Sequence, residues 1–473
     1  MARARMSFLD SSEIQRIHGT TMRILSEVGV LIHSPSVRAL AEEAGAVPSK
    51  DGKRTLIPEQ AVKWALASAS KSVLLASRDG KHDIRIPSGR LHAANGGEGV
   101  FVRDLVTGES HPATSDDLRD FAILVNELPE VDFFWPMVGS LEQPVHLKGM
   151  VELKTSLMHT TKHIQAMAAD AAEAKWMAEM VSIFTGGEGG LAKRPIVSAV
   201  ECPISPLTFE KGLVEAQVEL ARAGIPVVAM SASVAGLTSP VTLSGTIAQM
   251  NAENLASLFI SQAAKKGAPF IYSIDSSPGD LKTGSIDYGA LEVPVLRTGA
   301  GEMGRHYGLP TMVAGIGLEN LTFNMVNEWD GVPHVSIQSM VPSDLGAGFG
   351  GVDMATGASL EQLVADAWVW GVAKEFSRDF DAGDQAISFE TIRDAGIDGN
   401  FLGKRHTISR FRKEIIGSSL PKASLDVRMK PGAQGDLLRR AQAEAKRILA
   451  EHRTPLVTKD EAARIDQCMR KGR

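Results

Sequence analysis

Between Leu91 and Phe380 the chain repeats one unit eight times: a short apolar run ending in small or acidic residues, then a longer amphipathic segment. A period of about 30 to 40 residues with that content predicts an α/β fold, a closed parallel (β/α)8 or TIM barrel, because each strand needs a crossover helix before its parallel neighbour. The runs expected as strands are residues 91–96, 131–138, 163–168, 196–202, 226–231, 269–276, 310–315 and 344–350. Three of them are entered the same way: Gly224-Ile225-Pro226, Gly267-Ala268-Pro269 and Gly308-Leu309-Pro310 each close a helix with glycine and open a strand with proline. Helix starts are marked too. Ser239-Pro240 stands before Leu243, Ile247 and Met250, Ser359 with Gln362 forms a capping box, and Thr114 with Asp117 forms an acidic version of one.

Two extensions flank the predicted barrel, so the expected division is 1–90, 91–380 and 381–473. The first is read as a helical and short-strand segment whose leading helix opens at Asp10 and Glu13, carries Ile14, Ile17, Ile24 and Leu25, and stops at Gly29. The last begins in loops rich in Asp and Gly and finishes in a charged helix around Leu437 to His452. No low-complexity linker separates these parts, which predicts that both extensions pack on the barrel.

Bulk composition excludes several classes. A formal charge of −6 gives no electrostatic reason to expect nucleic acid or an anionic membrane surface as partner. Two cysteines, Cys202 and Cys468, are too few for a disulfide framework or a four-cysteine zinc site, and neither H-E-x-x-H nor C-x-x-C occurs. No metal site is expected. The start is basic but leads into Ser7 to Ser12 rather than an apolar stretch, and no run of about 18 apolar residues exists. A reducing cytoplasm is therefore the expected location.

In such a barrel, function is read at the C-terminal ends of the strands. Segments 95–99, 135–143, 165–170, 200–206, 230–238, 273–281, 314–321 and 346–353 contain no lysine and no arginine, yet carry Glu98, Glu142, Asp170, Glu201, Asp275, Asp280, Glu319 and Asp353. A mouth built from them attracts cations and repels phosphate esters. Each carboxylate taken singly also fits a solvated turn or helix cap, the plainer reading for Glu142, Asp170 and Asp280, which lie far along their loops. Glu201 and Asp275 are placed at strand ends, where they are expected to point inward. Trp135, Tyr272 and Phe349 fall late in strands and are candidates for an aromatic cage around a quaternary ammonium, or equally for core packing. Gly346 to Gly351 matches G-x-G-x-x-G with Asp366 downstream, but it falls at the eighth strand. The expected role is close backbone approach to a ligand or closure of the barrel, not dinucleotide binding.

Several ordered stretches resemble the trimethylamine methyltransferase family. They include Ile24 to Val30, Arg103 to Glu109 with Asp117-Leu118, Asn251 to Ala256 before Gly267-Ala268-Pro269, Ser359 to Val364, and Gly399 to Thr407. The resemblance implies a barrel that demethylates a methylamine and passes the methyl to cobalt(I) of a corrinoid carried by a separate protein; no D-x-H-x-x-G corrinoid signature occurs here, so no cofactor is expected on this chain. Archaeal members carry pyrrolysine, whereas this chain has standard residues only, which is similar to the non-pyrrolysine branch acting on quaternary amines such as glycine betaine. The chain departs from the family pattern at residues 320–328, where Asn324 stands near the usual Asp and no glutamine follows, and at Arg428, which has no nearby Trp.

On that reading Glu98, Glu201, Asp275 and Glu319 bind a small cationic or zwitterionic amine, Trp135, Tyr272 and Phe349 surround it, and His406 holds a substrate carboxylate or else caps a turn. No acid, base or nucleophile is named, because a quaternary ammonium leaves as a neutral amine without proton transfer. Large barrels commonly associate, so a homo-oligomer is expected. Two other classes stay open at this point: a barrel lyase or hydrolase using Glu201 and Asp275 as acid and base, and a binding or scaffold protein without turnover, for which residues 320–328 are the motive.

Overall fold

The computed structural model describes residues 6–317, 335–415, 434–453 and 455–471. Seven strands form one parallel sheet: β1 His92–Asn95, β2 Ile164–Met167, β3 Val197–Glu201, β4 Val227–Ser231, β5 Phe270–Ile274, β6 Thr311–Ala314 and β7 Leu345–Phe349. From β2 to β7 each strand pairs with its sequence neighbour, and β7 returns to pair with β1. The run expected as a strand at 131–138 contributes bridges rather than a full strand. Phe133 bridges Ala94 on one side and Phe134 bridges Ile164 on the other. Asp132 N donates to Ala93 O at 2.7 Å and Gln165 N to Phe134 O at 2.7 Å, so this short piece fills the eighth place and closes the barrel. Helices cover the outside as the period predicted: α4 Ser115–Glu127, α5 Lys148–His159, α6 Ala171–Thr185, α7 Lys211–Ala223, α8 Leu243–Ala264, α9 Glu292–His306 and α10 Leu360–Ala373.

Strand alternation separates two apolar layers. Val200, Val228, Met230, Ile271, Met312 and Leu345 fill the interior, while Val197, Ala199, Val227, Ala229 and Phe270 pack against helices. The interior layer has a floor supplied from outside the barrel. An antiparallel hairpin of Val73–Leu75 and Ile84–Ile86 places Val73, Leu75, Ile84 and Ile86 in the same cluster. The preceding helices are α1 Ser11–Arg23, α2 Pro35–Glu43 and α3 Glu59–Ser68. Asp10 and Glu13 form the expected capping box on α1, which continues through a wider turn at Ile24–Val28 and stops at Gly29. Gly29 has φ +76°, and a Cβ there would stand 2.6 Å from Thr55 O. No other residue type turns the chain at that spot without strain.

Caps follow the sequence with two differences. Thr114 and Asp117 complete their box on α4. Ser359 accepts from Gln362 N at 3.2 Å, but the Gln362 amide turns away to Asp366 at 2.8 Å instead of returning to the cap. The helix expected from Ser239-Pro240 begins later, at Leu243, because Pro240 O is taken by Thr246 Oγ1 at 2.6 Å and the residues before it form a turn.

Beyond the barrel lie α11 Phe389–Ala395, α12 Arg405–Glu414, α13 Gln434–Glu451 and α14 Lys459–Lys471. The α13 helix packs on α10 and α4 and buries Leu437, Ala441, Ala445 and Ile448. No helix among the described residues is long and apolar enough to cross a membrane.

One buried cation ties the closing segment to its neighbours. Lys162 Nζ donates to Val125 O, Leu128 O and Val131 O at 2.6, 2.7 and 2.6 Å, ending α4 and fixing the entry to residues 131–134. Burial pushes this amine down to about 8, and three carbonyl partners at a helix C-terminus favour the ammonium at neutral pH. Replacing Lys162 with Met would leave those carbonyls without a donor. The expected loss is about 3 kcal/mol, read as a lower urea midpoint at unchanged slope; an unchanged midpoint would show that barrel closure does not depend on this contact.

Candidate active site

At the C-terminal end of the barrel, Trp135, Met137, Asp275 and Tyr288 face a wall of small residues that includes Gly96, Gly97, Ala314, Gly315, Ala347 and Gly348. The cavity between them is about 70 Å³, room for a ligand of a few heavy atoms. Glycine is required in this wall. A Cβ on Gly97 would lie 2.4 Å from the Trp135 indole, and one on Gly348, where φ is +145°, would lie 2.7 Å from Ile316 N. The glycines of the G-x-G-x-x-G match therefore allow β7 to approach the turn after β6 closely.

Asp275 follows β5, on the same side as the inward Ile271. Its Oδ2 accepts from Tyr288 Oη at 2.8 Å, while Oδ1 is buried with no hydrogen-bond partner among the described residues. Burial raises the carboxyl above its ordinary range, and Arg297 opposes that shift. Arg297, on α9, is fully buried and donates from Nη1 to Gly315 O at 2.6 Å. A Cβ at Gly315 would meet its Nη2 at 2.1 Å, so the glycine makes room for this countercharge. Trp135 is held by Asn95, whose side chain accepts from Trp135 N at 3.1 Å and donates to Trp135 O. The indole Nε1 is buried with no hydrogen-bond partner among the described residues. Buried polar atoms normally have partners, and here an acceptor and a donor without them stand in the walls of one cavity.

A second cluster lies beside it. Lys148 Nζ, at the start of α5, is 3.7 Å from Glu98 Oε2 and 3.6 Å from Glu152 Oε1. Glu152 also accepts from Ser140 N at 2.8 Å, and Glu173 from Ala169 N at 2.7 Å. Burial raises Glu98, Glu152, Glu173 and, most of all, Glu201. Both Glu201 oxygens are buried without a partner among the described residues. Cys202 is pushed up to about 12 by burial, with Glu201, Asp275 and Glu98 adding to it. It stays a thiol and is no nucleophile.

The residues picked from sequence divide as follows. Trp135 and Asp275 line one cavity, and Glu98 belongs to the neighbouring cluster. Glu201, expected inward, shares the helix-facing side of β3 with Val197 and Ala199, because Val200 and Cys202 take the interior. It is therefore turned away from Asp275 rather than paired with it as an acid and base. Tyr272 faces the helix layer, where its hydroxyl donates to Asn251 Oδ1 at 3.2 Å. Phe349 also faces outward, against Trp370, because a bulge between Ala347 and Phe349 shifts the alternation of β7. Neither ring surrounds the cavity, so the cage reduces to Trp135. His406 lies on α12, bonded to Ser388 Oγ at 2.7 Å, and is not in the cavity wall. Glu319 and the stretch 320–328 lie outside the described residues. Glu142 and Asp170 cap α4 and α6, Asp280 closes a turn on Lys282 N, and Asp353 is exposed.

Sequence reading missed Tyr288, Arg297, Lys148, Glu152 and Asn95. The mouth is acidic but not without cations: both basic groups arrive from helices, whose N-terminal parts reach the same end of the barrel as the strand C-termini. Asn251 to Asn254 acquires a physical role here. On the buried α8 helix, Glu253 accepts from Ser205 Oγ at 2.8 Å and Leu207 N at 2.9 Å, and Asn254 Nδ2 donates to Ser273 O at 2.9 Å, pinning the chain after β3 and the end of β5.

The family model described as trimethylamine methyltransferase (MTTB) matches residues 2–472. Trimethylamine methyltransferase MttB of Desulfitobacterium hafniense is 27% identical over 445 residues, 94% of this chain and 89% of that protein. MttB of Methanosarcina thermophila is 27% identical over 416 residues, 85% and 84% of the two chains. Glycine betaine methyltransferase of Desulfitobacterium hafniense is 23% identical over 470 residues, 98% and 96% of the two chains. Among solved structures, the hydroxylamine complex of MtmB superposes with a TM-score of 0.51 at 10% identity, over 99% of this chain and 95% of that one, a likeness of fold.

The carboxylate cluster makes stability depend on pH. Burial, with Glu98 adding to it, raises Glu152 from 4.5 to about 7. The folded chain thus holds a proton that the unfolded chain has released, a contribution complete below 4.5 and lost as pH rises through about 7. Glu152→Gln keeps an acceptor for Ser140 N. It is expected to raise the melting temperature at pH 8 by about 3 °C and to change it little at pH 4.5. Equal shifts at both pH values would show that Glu152 is not protonated in the fold.

Proposed function

Because the chain belongs to the trimethylamine methyltransferase family, we propose that it is a methyltransferase that takes a methyl group from a small quaternary amine of betaine type. The observation that carries this reading is the pairing of a partly unsatisfied buried carboxylate, Asp275, with an indole N–H, Trp135, across a cavity of about 70 Å³. A zwitterion matches both groups: its ammonium lies against Asp275 and the aromatic ring, and its carboxylate accepts from Trp135 Nε1. Similarity to glycine betaine methyltransferase over nearly the full length of both chains supports the same substrate class.

The methyl acceptor in this reading is a cobalt(I) corrinoid carried by a separate protein, which supplies the nucleophile. The exposed Val145, Leu281 and Leu291 around the mouth offer an apolar collar for such a partner. The chain's own residues bind, orient and exclude water. When the C–N bond breaks, its electron pair stays on nitrogen and the amine leaves neutral, so no side chain has to move a proton. Asp275 holds the nitrogen deep in the cavity and the methyl is turned toward the mouth, in line with an approaching acceptor. The cation disappears during the reaction. A carboxylate that bound it too strongly would stabilise reactant over transition state, and the hydrogen bond from Tyr288 and the charge of Arg297 temper Asp275 against this.

The test is methyl transfer from glycine betaine, carnitine, choline and trimethylamine to a corrinoid protein or free cob(I)alamin, with binding followed by calorimetry. Asp275→Asn keeps an oxygen for Tyr288 but removes the charge, and is expected to lower kcat/KM about 100-fold, ~2.7 kcal/mol. Since cation binding favours ionised Asp275, affinity should increase as pH rises above the ordinary carboxylate range, with proton release visible as a buffer-dependent heat. Equal binding by Asp275→Asn and the native chain would sink the assignment of Asp275. No transfer from any of these amines would sink the betaine reading.

A further inference from the structure

Between Arg378 and Ile415 not one described residue is buried, although the segment holds α11, α12 and a single helical turn at Asp384–Ile387. Its apolar side chains stand in water: Phe389 is 64% exposed, Ile392 54%, Leu402 85% and Ile408 71%. On α12, Ile408 and Phe411 recur at a spacing of three, a helical stripe that the other described residues leave exposed. Fewer than about 40 residues without a core of their own do not normally hold a fold, and an exposed apolar surface of this extent marks an interaction face.

The segment is nevertheless tied into one arm. Arg378 Nη2 donates to Glu414 O at 3.0 Å, joining its entry to its exit, and Ser388 Oγ with His406 Nε2 at 2.7 Å joins the start of α11 to α12. Lys404 Nζ donates to Asp394 O at 3.1 Å. The arm therefore presents its apolar face in a set shape.

Charge and position identify the occupant. From Asp379 to Asp398 six carboxylates stand against Arg393 alone, whereas from Lys404 to Glu414 five cations stand against one carboxylate. A surface acidic in one half and basic in the other is complementary to itself across a two-fold axis. The arm is also rooted far from the chemistry. It leaves α10 through Lys374–Ser377, and Ser377 borders a surface hollow with Arg90, Leu91, Leu309 and Asp344, at the beginnings of β1, β6 and β7. That is the barrel end opposite the mouth, where a methyl acceptor must approach. We propose that the arm at 378–415 docks on the same arm of a second copy of this chain, the acidic half of each against the basic α12 helix of the other.

Light scattering coupled to size-exclusion chromatography on the full chain tests this, with circular dichroism to confirm folding. The native chain is expected as a dimer or a multiple of it. Phe389→Asp with Ile408→Asp should halve the mass. So should reversal of the basic helix by Arg410→Glu, Arg412→Glu and Lys413→Glu. Mixing the latter with a chain carrying Asp381→Lys, Asp384→Lys and Asp394→Lys should restore a mixed dimer, which a merely misfolded arm would not do. A monomeric native chain, or variants of unchanged mass, would overturn the proposal. So would variants that keep their mass but no longer transfer methyl to a corrinoid protein, since the arm would then serve the acceptor.

Discussion

A closed parallel barrel gives its interior only every second side chain of each strand, and the rest of this molecule is arranged around that restriction. Branched and sulfur-containing residues fill the middle of the barrel, and the hairpin at Val73–Leu75 and Ile84–Ile86 seals the lower end with four more apolar side chains. Among the described residues, space for a ligand opens at the top, where the inward positions become Ala314, Ala347 and glycine. The small wall on one side and Trp135 on the other set the width. With so few positions available, Asp275 and Trp135 are the lining residues whose buried polar atoms lack a partner among the described residues.

The electrostatics of that end are milder than the count of acidic residues suggests. Burial raises Glu98, Glu173 and, most of all, Glu201, and pushes Glu152 up to about 7, so this end carries less negative charge than a count of its carboxyls implies. Lys148 offsets part of what remains. Asp275 is distinguished by its company: Arg297 behind the Gly315 turn favours its charged form while burial disfavours it. A cation entering the cavity adds a second favourable partner for that charge. Binding and ionisation are then coupled, and a ligand without positive charge gains nothing from the coupling.

The barrel was legible because helical and strand periods alternate strongly and the boundaries are chemically marked. Asp10 with Glu13, Thr114 with Asp117, and the glycine–proline entries into β4, β5 and β6 have the roles their residue types imply. Asp275 was legible by simple alternation from Ile271. The same rule, applied without knowing which set of residues faced inward, put Glu201 on the wrong side of β3. For Phe349 the rule itself broke at a bulge on Gly348, a glycine within the strand whose backbone (φ +145°) other residues rarely adopt. Tyr272 went wrong differently: its hydroxyl finds Asn251 on the helix layer, a partner distant in sequence. Arg297 and Lys148 were invisible to a reading confined to strand ends, since helices deliver them.

The two ends of the barrel are physically distinct. At the mouth, glycine wall, Asp275 and Trp135 need close approach and a dry environment, which rigid packing by α8 provides through Glu253 and Asn254. At the other end the chain leaves α10 into an arm that contributes nothing to the interior and keeps its apolar side chains outside. A contact formed there can associate copies without closing the mouth. Association through residues near Leu281 or Leu291 would instead compete with any macromolecule that must reach the cavity. In the proposed arrangement, self-association at the opposite end would leave the apolar collar free for a bulky acceptor.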